Sequence, residues 1–185
     1  MLRSLAVLAC TAVILVAGTA HAATSLFLNV PGIPGDATFE SAANEIQAIS
    51  YSFGINPAKA TKYGTVGVCA PGQTKPTFSE FCVTKRTDIA SPKLFVAAAT
   101  ATQFPQVTIS VFHDSDDGAP PIVRYRLSNA FVSSLKADAV STADAPTEQV
   151  CFRFNRAQVT TNRSTVMGGA VSETAGFDAC QASPF

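Results

Sequence analysis

The sequence lacks any imbalance of charge: 13 basic side chains stand against 13 acidic ones in 185 residues, and only 14% of the chain is charged. Such neutrality excludes nucleic acid or an anionic lipid surface as the main partner. Histidine is nearly absent, with His21 and His113 the two in the chain. A Ser-His-Asp triad would have to use His113, yet no Gly-x-Ser-x-Gly elbow is present and His113 sits beside a turn, so it reads as a solvated strand end. No Cys-x-x-Cys pair offers clustered zinc ligands. No apolar run reaches the ~20 residues that a bilayer span needs. At 47% hydrophobic residues disorder is also excluded. There is no internal repeat and no domain linker.

What is present begins with a leader. Arg3 precedes a nearly unbroken apolar stretch from Leu5 to Ala17, which ends in Ala20-His21-Ala22. A basic start, a short apolar centre and an Ala-x-Ala end describe a secretory signal peptide over residues 1–22, with cleavage between Ala22 and Ala23. Residues 23–185 then form a single domain. Cys10 leaves with the leader, and Cys69, Cys82, Cys151 and Cys180 remain. In an oxidising compartment four cysteines read as two disulfides with three connectivities, and chain separation leans towards Cys69 with Cys82 and Cys151 with Cys180.

Alternating apolar runs bounded by Pro, Gly, Asn and Asp give an antiparallel, mostly β domain. Strands are expected over Thr24–Val30, Ile46–Phe53, Phe78–Thr87, Val107–Phe112, Ile122–Leu135 at unbroken period two, and from Val150 on to Val159. Ile46–Phe53 carries apolar residues on both faces, which predicts cover on both sides. Helix is expected once, with Ser91 as N-cap, Pro92 at the first helical position and an end near Ala101. Gly54 to Thr77 is an irregular excursion long enough to be a functional or contact loop.

Chemistry-bearing clusters are thin. Asp114, Asp116 and Asp117 lack the alternate spacing and closing Glu of a calcium loop and read as a polar turn. Glu45, Glu80 and Glu148 are the carboxylates on which glycoside chemistry would draw, and nothing in their spacing favours it. Asn162-Arg163-Ser164 matches a glycosylation acceptor, a motif short enough to recur by chance. No catalytic residue, cofactor site or metal site is assigned.

Leu26-Phe27-Leu28 with Gly32-Ile33-Pro34-Gly35, then Glu45 through Gly54, then Thr84 through Leu94 with its Ser91-Pro92-Lys93-Leu94 helix start, follow one another in a colinear order. Phe104-Pro105-Gln106-Val107-Thr108-Ile109, Tyr125-Arg126-Leu127, Val132 to Leu135, Glu148, Phe152-Arg153-Phe154 and Ala157-Gln158-Val159 continue it. In this series the chain resembles Hcp, the haemolysin-coregulated tube protein of bacterial type VI secretion. The resemblance implies a compact antiparallel β-barrel with one short α-helix packed on its side. It also implies a non-enzymatic role in which six protomers close into a ring and rings stack into a tube, with spike or cargo proteins as further partners. Ring stacking would fall to the loop after Gly54, which carries Lys59, Lys62, Tyr63 and Lys75. Three features depart from the family: the leader, where tube subunits assemble in the cytoplasm; the four cysteines; and Phe177, where family tails more often carry Trp. The expected destination is periplasmic or secreted, without membrane attachment after cleavage. The contrasting reading is an exported monomeric barrel that binds a ligand or cell-surface partner through its loops.

Overall fold

The computed structural model describes residues 23–56, 76–114, 118–139, 145–164, 170–179, 181 and 183–185. The expected leader lies outside them. The strands are β1 (Thr24–Asn29), β2 (Ile46–Ser52), β3 (Ile55–Asn56), β4 (Thr77–Phe78), β5 (Phe81–Arg86), β6 (Gln103–His113), β7 (Val123–Asp138), β8 (Thr147–Arg153), β9 (Arg156–Ser164), β10 (Ala170–Asp178) and β11 (Ser183–Pro184). One helix, α1 (Ser91–Thr100), joins β5 to β6. It is too short to cross a membrane, and no other helix among the described residues is long and apolar enough.

All ladders are antiparallel, and the main sheet runs β11-β10-β9-β7-β6-β1-β2-β5-β8 with β8 returning to β7. That return closes a six-strand barrel. Closure depends on the length of β7: Phe131–Asp138 pairs β8, while Val123–Ser128 pairs β9 on the same edge. β8 and β9 thus follow one another along β7, and only Phe154 and Asn155 leave the ladder, so the expected run to Val159 is interrupted once. The expected strand over Phe78–Thr87 is likewise divided at Ser79–Glu80 into β4 and β5.

Barrel interiors are filled by alternate residues of each strand. Leu28, Ile46, Phe81, Val83, Val107, Ile109, Leu127, Val150 and Phe152 form the fully buried centre. A smaller cluster of Phe27, Phe112, Ala37 and Ala42 lies on the opposite face of β1 and β6, where the segment before β2 folds over them.

Two expected periodicities fail for the same reason. In β2 the register slips between Ala48 and Ser50, so Ile49 is the extra residue of a β-bulge. Tyr51 and Phe53 therefore join the interior side with Ile46 and Ala48, and Ile49 is left 56% exposed. The strand is not covered on both sides. In β7, Asn129 adopts a left-handed φ of 51° opposite the Pro105 region of β6. Leu127, Ala130 and Val132 are the buried residues as a result, and Phe131 falls out of phase. A second slip between Val132 and Ser134 returns Leu135 to the core.

The helix begins as expected in place but not in chemistry. Ala90, not Ser91, occupies the N-cap and has no side-chain cap bond, because Ser91 is already helical and its hydroxyl is turned inward. Asp88 supplies the local bond instead, its carboxylate accepting from the Ala90 N–H at 2.9 Å. Leu94 and Ala97 enter the same cluster as the barrel interior, which holds α1 against it. Ala101, left-handed, ends the helix by donating its N–H to the carbonyls of Ala97 and Ala98.

Candidate functional site

The described residues that flank the expected stacking loop form a defined base. Ile55–Asn56 pairs with Thr77–Phe78. Below that stem the Gly54 N–H donates to Ser79 Oγ at 2.8 Å, and the Ser79 N–H donates to the Gly54 carbonyl at 2.9 Å. Lys59, Lys62, Tyr63 and Lys75 lie outside the described residues. Aromatic rings gather under the stem: Phe53 stacks on Phe78 and Phe81, and Phe78 meets Phe154 and Phe177. An open, mainly apolar cleft of about 490 Å³ lies beside this group, with Phe53, Ile55, Phe78, Tyr125, Val159 of β9 and Phe177 of β10 among its walls. Burial first, then the hydrogen bond and charge of Tyr51, push the Tyr125 phenol up to about 12. It stays protonated, and its hydroxyl lies 3.3 Å from that of Tyr51.

A second constellation sits inside the barrel. Lys85 follows Phe81 and Val83 on the inward face of β5 and is 0% exposed. Its Nζ lies 2.8 Å from Asp88 Oδ1 and donates to Glu148 Oε2 and Ser91 Oγ, both at 3.0 Å. Ser91 Oγ in turn donates to Glu148 Oε2 at 2.7 Å and accepts from the Asp88 N–H at 3.1 Å. The group satisfies itself: no buried side-chain polar atom among the described residues lacks a partner. With Lys85, Asp88, Ser91 and Glu148 saturated by one another, the cluster ties β5, the turn before α1, the helix start and β8 together. The sequence carried a usable signal for it, since Lys85 is in phase with Phe81 and Val83, and Glu148 with Val150 and Phe152.

The cysteines correct the expected pairing. Cys82 and Cys151 stand opposite each other in the β5–β8 ladder and are joined by a disulfide. The link closes a sequence separation of 69 residues, so proximity along the chain misleads where strand register decides. Cys69 and Cys180 lie outside the described residues. Glu80 approaches the two sulfurs, but the disulfide leaves no thiolate to bind metal.

The remaining candidates do not assemble. Asn29 Nδ2 donates to Glu45, Arg153 pairs with Glu80 at 2.8 Å, and Glu148 belongs to the interior cluster. His113 is exposed at the end of β6, opposite Thr24. Asp114 follows it, also exposed, and Asp116 and Asp117 lie outside the described residues. Asn162 is on β9 with its amide donating to the Pro121 carbonyl at 2.7 Å.

These features define a small closed antiparallel barrel, buttressed by one helix, whose buried polar groups hold elements together. The family model described as "Type VI secretion system effector, Hcp" matches residues 27–161, and the chain belongs to that family. The crystal structure of Hcp1 from Salmonella typhimurium is similar at 22% identity, covering 88% of this chain and 99% of that one, with a TM-score of 0.71. A structure described as a type six secretion system protein shares 20% identity over 88% of this chain and 100% of its own, with a TM-score of 0.73. A type VI secretion system effector from Yersinia pestis shares 17% identity over 83% and 98%, at 0.64. At these identities the structures establish a common fold. No curated protein matches the chain.

Proposed function

We propose that this protein is a non-enzymatic ring- and tube-forming subunit of the Hcp type that is exported after cleavage between Ala22 and Ala23. The family match over residues 27–161 carries the reading. Large apolar side chains left in water support it: Phe95 and Val96 on the outer side of α1 and Ile89 just before it are well exposed. Apolar area left in water is unfavourable by ~25 cal/mol per Å², and identical neighbours in a closed ring would remove it. Spike or cargo proteins are the further partners, and the destination is the periplasm or the medium.

A second reading, an exported monomeric binding barrel, is favoured by the Cys82–Cys151 link, which fastens the closing strand β8 without help from neighbours. Light-scattering chromatography of the mature, oxidised protein separates the two. A closed oligomer of six subunits is expected. A strictly monomeric mass over a wide concentration range, with a folded β spectrum, would remove the ring and promote the binding barrel. Intact mass of the exported protein should begin at Ala23; recovery only from the cytosol with Met1 retained would overturn export.

A further inference from the structure

The outward face of the sheet around β7 carries two arginines on one strand. Arg124 and Arg126 are two residues apart and so point to the same side, their Cα atoms roughly 7 Å apart. Across the ladder Arg124 faces Ser110 on β6 and Thr160 on β9, and Arg126 faces Thr108 and Gln158. Both side chains are half-buried and held by neutral acceptors. Arg124 Nε donates to Ser110 Oγ at 3.1 Å, and Arg126 Nη1 donates to Gln158 Oε1 at 3.1 Å. Ser110 is itself only 3% exposed, so the Arg124 fork is anchored from below. One rung further out, the hydroxyls of Thr160 and Thr174 meet at 2.9 Å.

Neither guanidinium has a carboxylate within ion-pair distance among the described residues. The nearest acidic influence on Arg124 is Glu45, which is engaged by the Asn29 amide. Burial, and after it the positive charge of Arg126, lowers the pKa of Arg124 against the opposing pull of Glu45. Two positive charges are thus kept side by side with donors to spare and hydroxyls on both flanks.

We propose that Arg124 and Arg126 form the floor of a site for a tetrahedral oxyanion, the phosphate or sulfate group of a small soluble molecule, with Thr108 and Thr160 at its sides. The occupant follows from charge and shape. A planar carboxylate is matched by one guanidinium fork, whereas two forks a rung apart need acceptor oxygens spread in three dimensions. Nothing in the site depends on ring assembly, so its failure would leave the ring reading standing.

The test titrates the mature protein, in whatever oligomeric state it is isolated, with inorganic phosphate, glucose 6-phosphate and acetate at constant ionic strength. Calorimetry and backbone amide shifts provide the readout. Saturable binding of phosphate is expected, with shifts centred on β6, β7 and β9, and acetate no better than chloride. Arg124→Gln and Arg126→Gln should each weaken binding at least tenfold while the melting temperature stays near that of the parent. Arg126→Lys, which keeps the charge and loses the fork, should fall between. Tighter binding of the ester than of the free ion assigns the group to a phosphate ester, and equal binding assigns it to the ion; the site stands in both cases. No saturable binding, equal response to acetate, or unaltered affinity in both Gln variants would overturn the proposal.

Discussion

Lys85 and Glu148 stand opposite each other in the β5–β8 ladder, and their side chains meet at 3.0 Å inside the barrel. The contact joins the two strands whose pairing helps to close the barrel. Asp88 and Ser91 complete it and bring the start of α1 to the same point. A buried charge is tolerable only when paired and hydrogen-bonded.

Lys85→Met therefore leaves Glu148 and Asp88 without their cation in the interior and should destabilise by about 3–5 kcal/mol. Urea denaturation would show this as a lower midpoint with an unaltered slope. Lys85→Met combined with Glu148→Gln should recover part of the loss, because fewer buried charges are stranded. A single variant as stable as the parent would show that the cluster does not hold the helix to the barrel.

Strand chemistry near in sequence is legible, and register is not. β1, β5 and the start of α1 follow from alternation and from Ser91-Pro92, because neighbours along the chain decide them. Ile49 and Asn129 mark where the chain steps out of phase, and each step is fixed by the partner strand, which single-strand periodicity does not contain. The same limitation misassigned the cysteines: Cys82 meets Cys151 only because β8 returns beside β5. The interior cluster was missed: Lys85 and Glu148 lie in apolar phase in their strands, a signal that was open to reading, but their pairing again required the ladder. Of the proposed stacking loop the fold shows the stem, built on Gly54 and Ser79.

Reduction of the Cys82–Cys151 bridge releases a loop of 69 residues, worth about 4 kcal/mol in the chain-entropy account. Melting temperature should fall measurably on adding reductant, and Cys82→Ala with Cys151→Ala should melt low in both conditions. Peptide mapping without reduction should recover Cys82 linked to Cys151. A fragment joining Cys69 to Cys82 would contradict the ladder.

Gly32 and Gly35 should respond differently to alanine. Gly35 lies against the Glu45 carbonyl, and an added Cβ would sit 2.6 Å from Ile46 Cα, so backbone must move. Gly35→Ala is expected to cost about 1–3 kcal/mol, as overpacking does. Gly32 has open space around it but a φ of +80°, so Gly32→Ala should cost only about 1 kcal/mol. Equal effects would show that crowding at Gly35 is relieved by a shift of the segment.

Glu45 gives the fold a pH dependence whose sign can be worked out. Burial raises its pKa, and the Asn29 hydrogen bond and the charge of Arg124 offset that only in part. With the folded value above the unfolded one, the native state binds more protons between the two, so stability falls as pH rises through that window. The penalty is complete above the folded pKa and absent below the ordinary glutamate value of about 4.3. Glu45→Gln keeps an acceptor for the Asn29 amide and removes the charge. It should therefore be more stable than the parent at pH 7, and the difference should vanish as pH falls below about 4. Denaturation at a series of pH values measures the difference directly. If the variant is the less stable protein at pH 7, attraction to Arg124 outweighs the burial of the carboxylate, and the face that carries the two arginines already holds its own counter-ion.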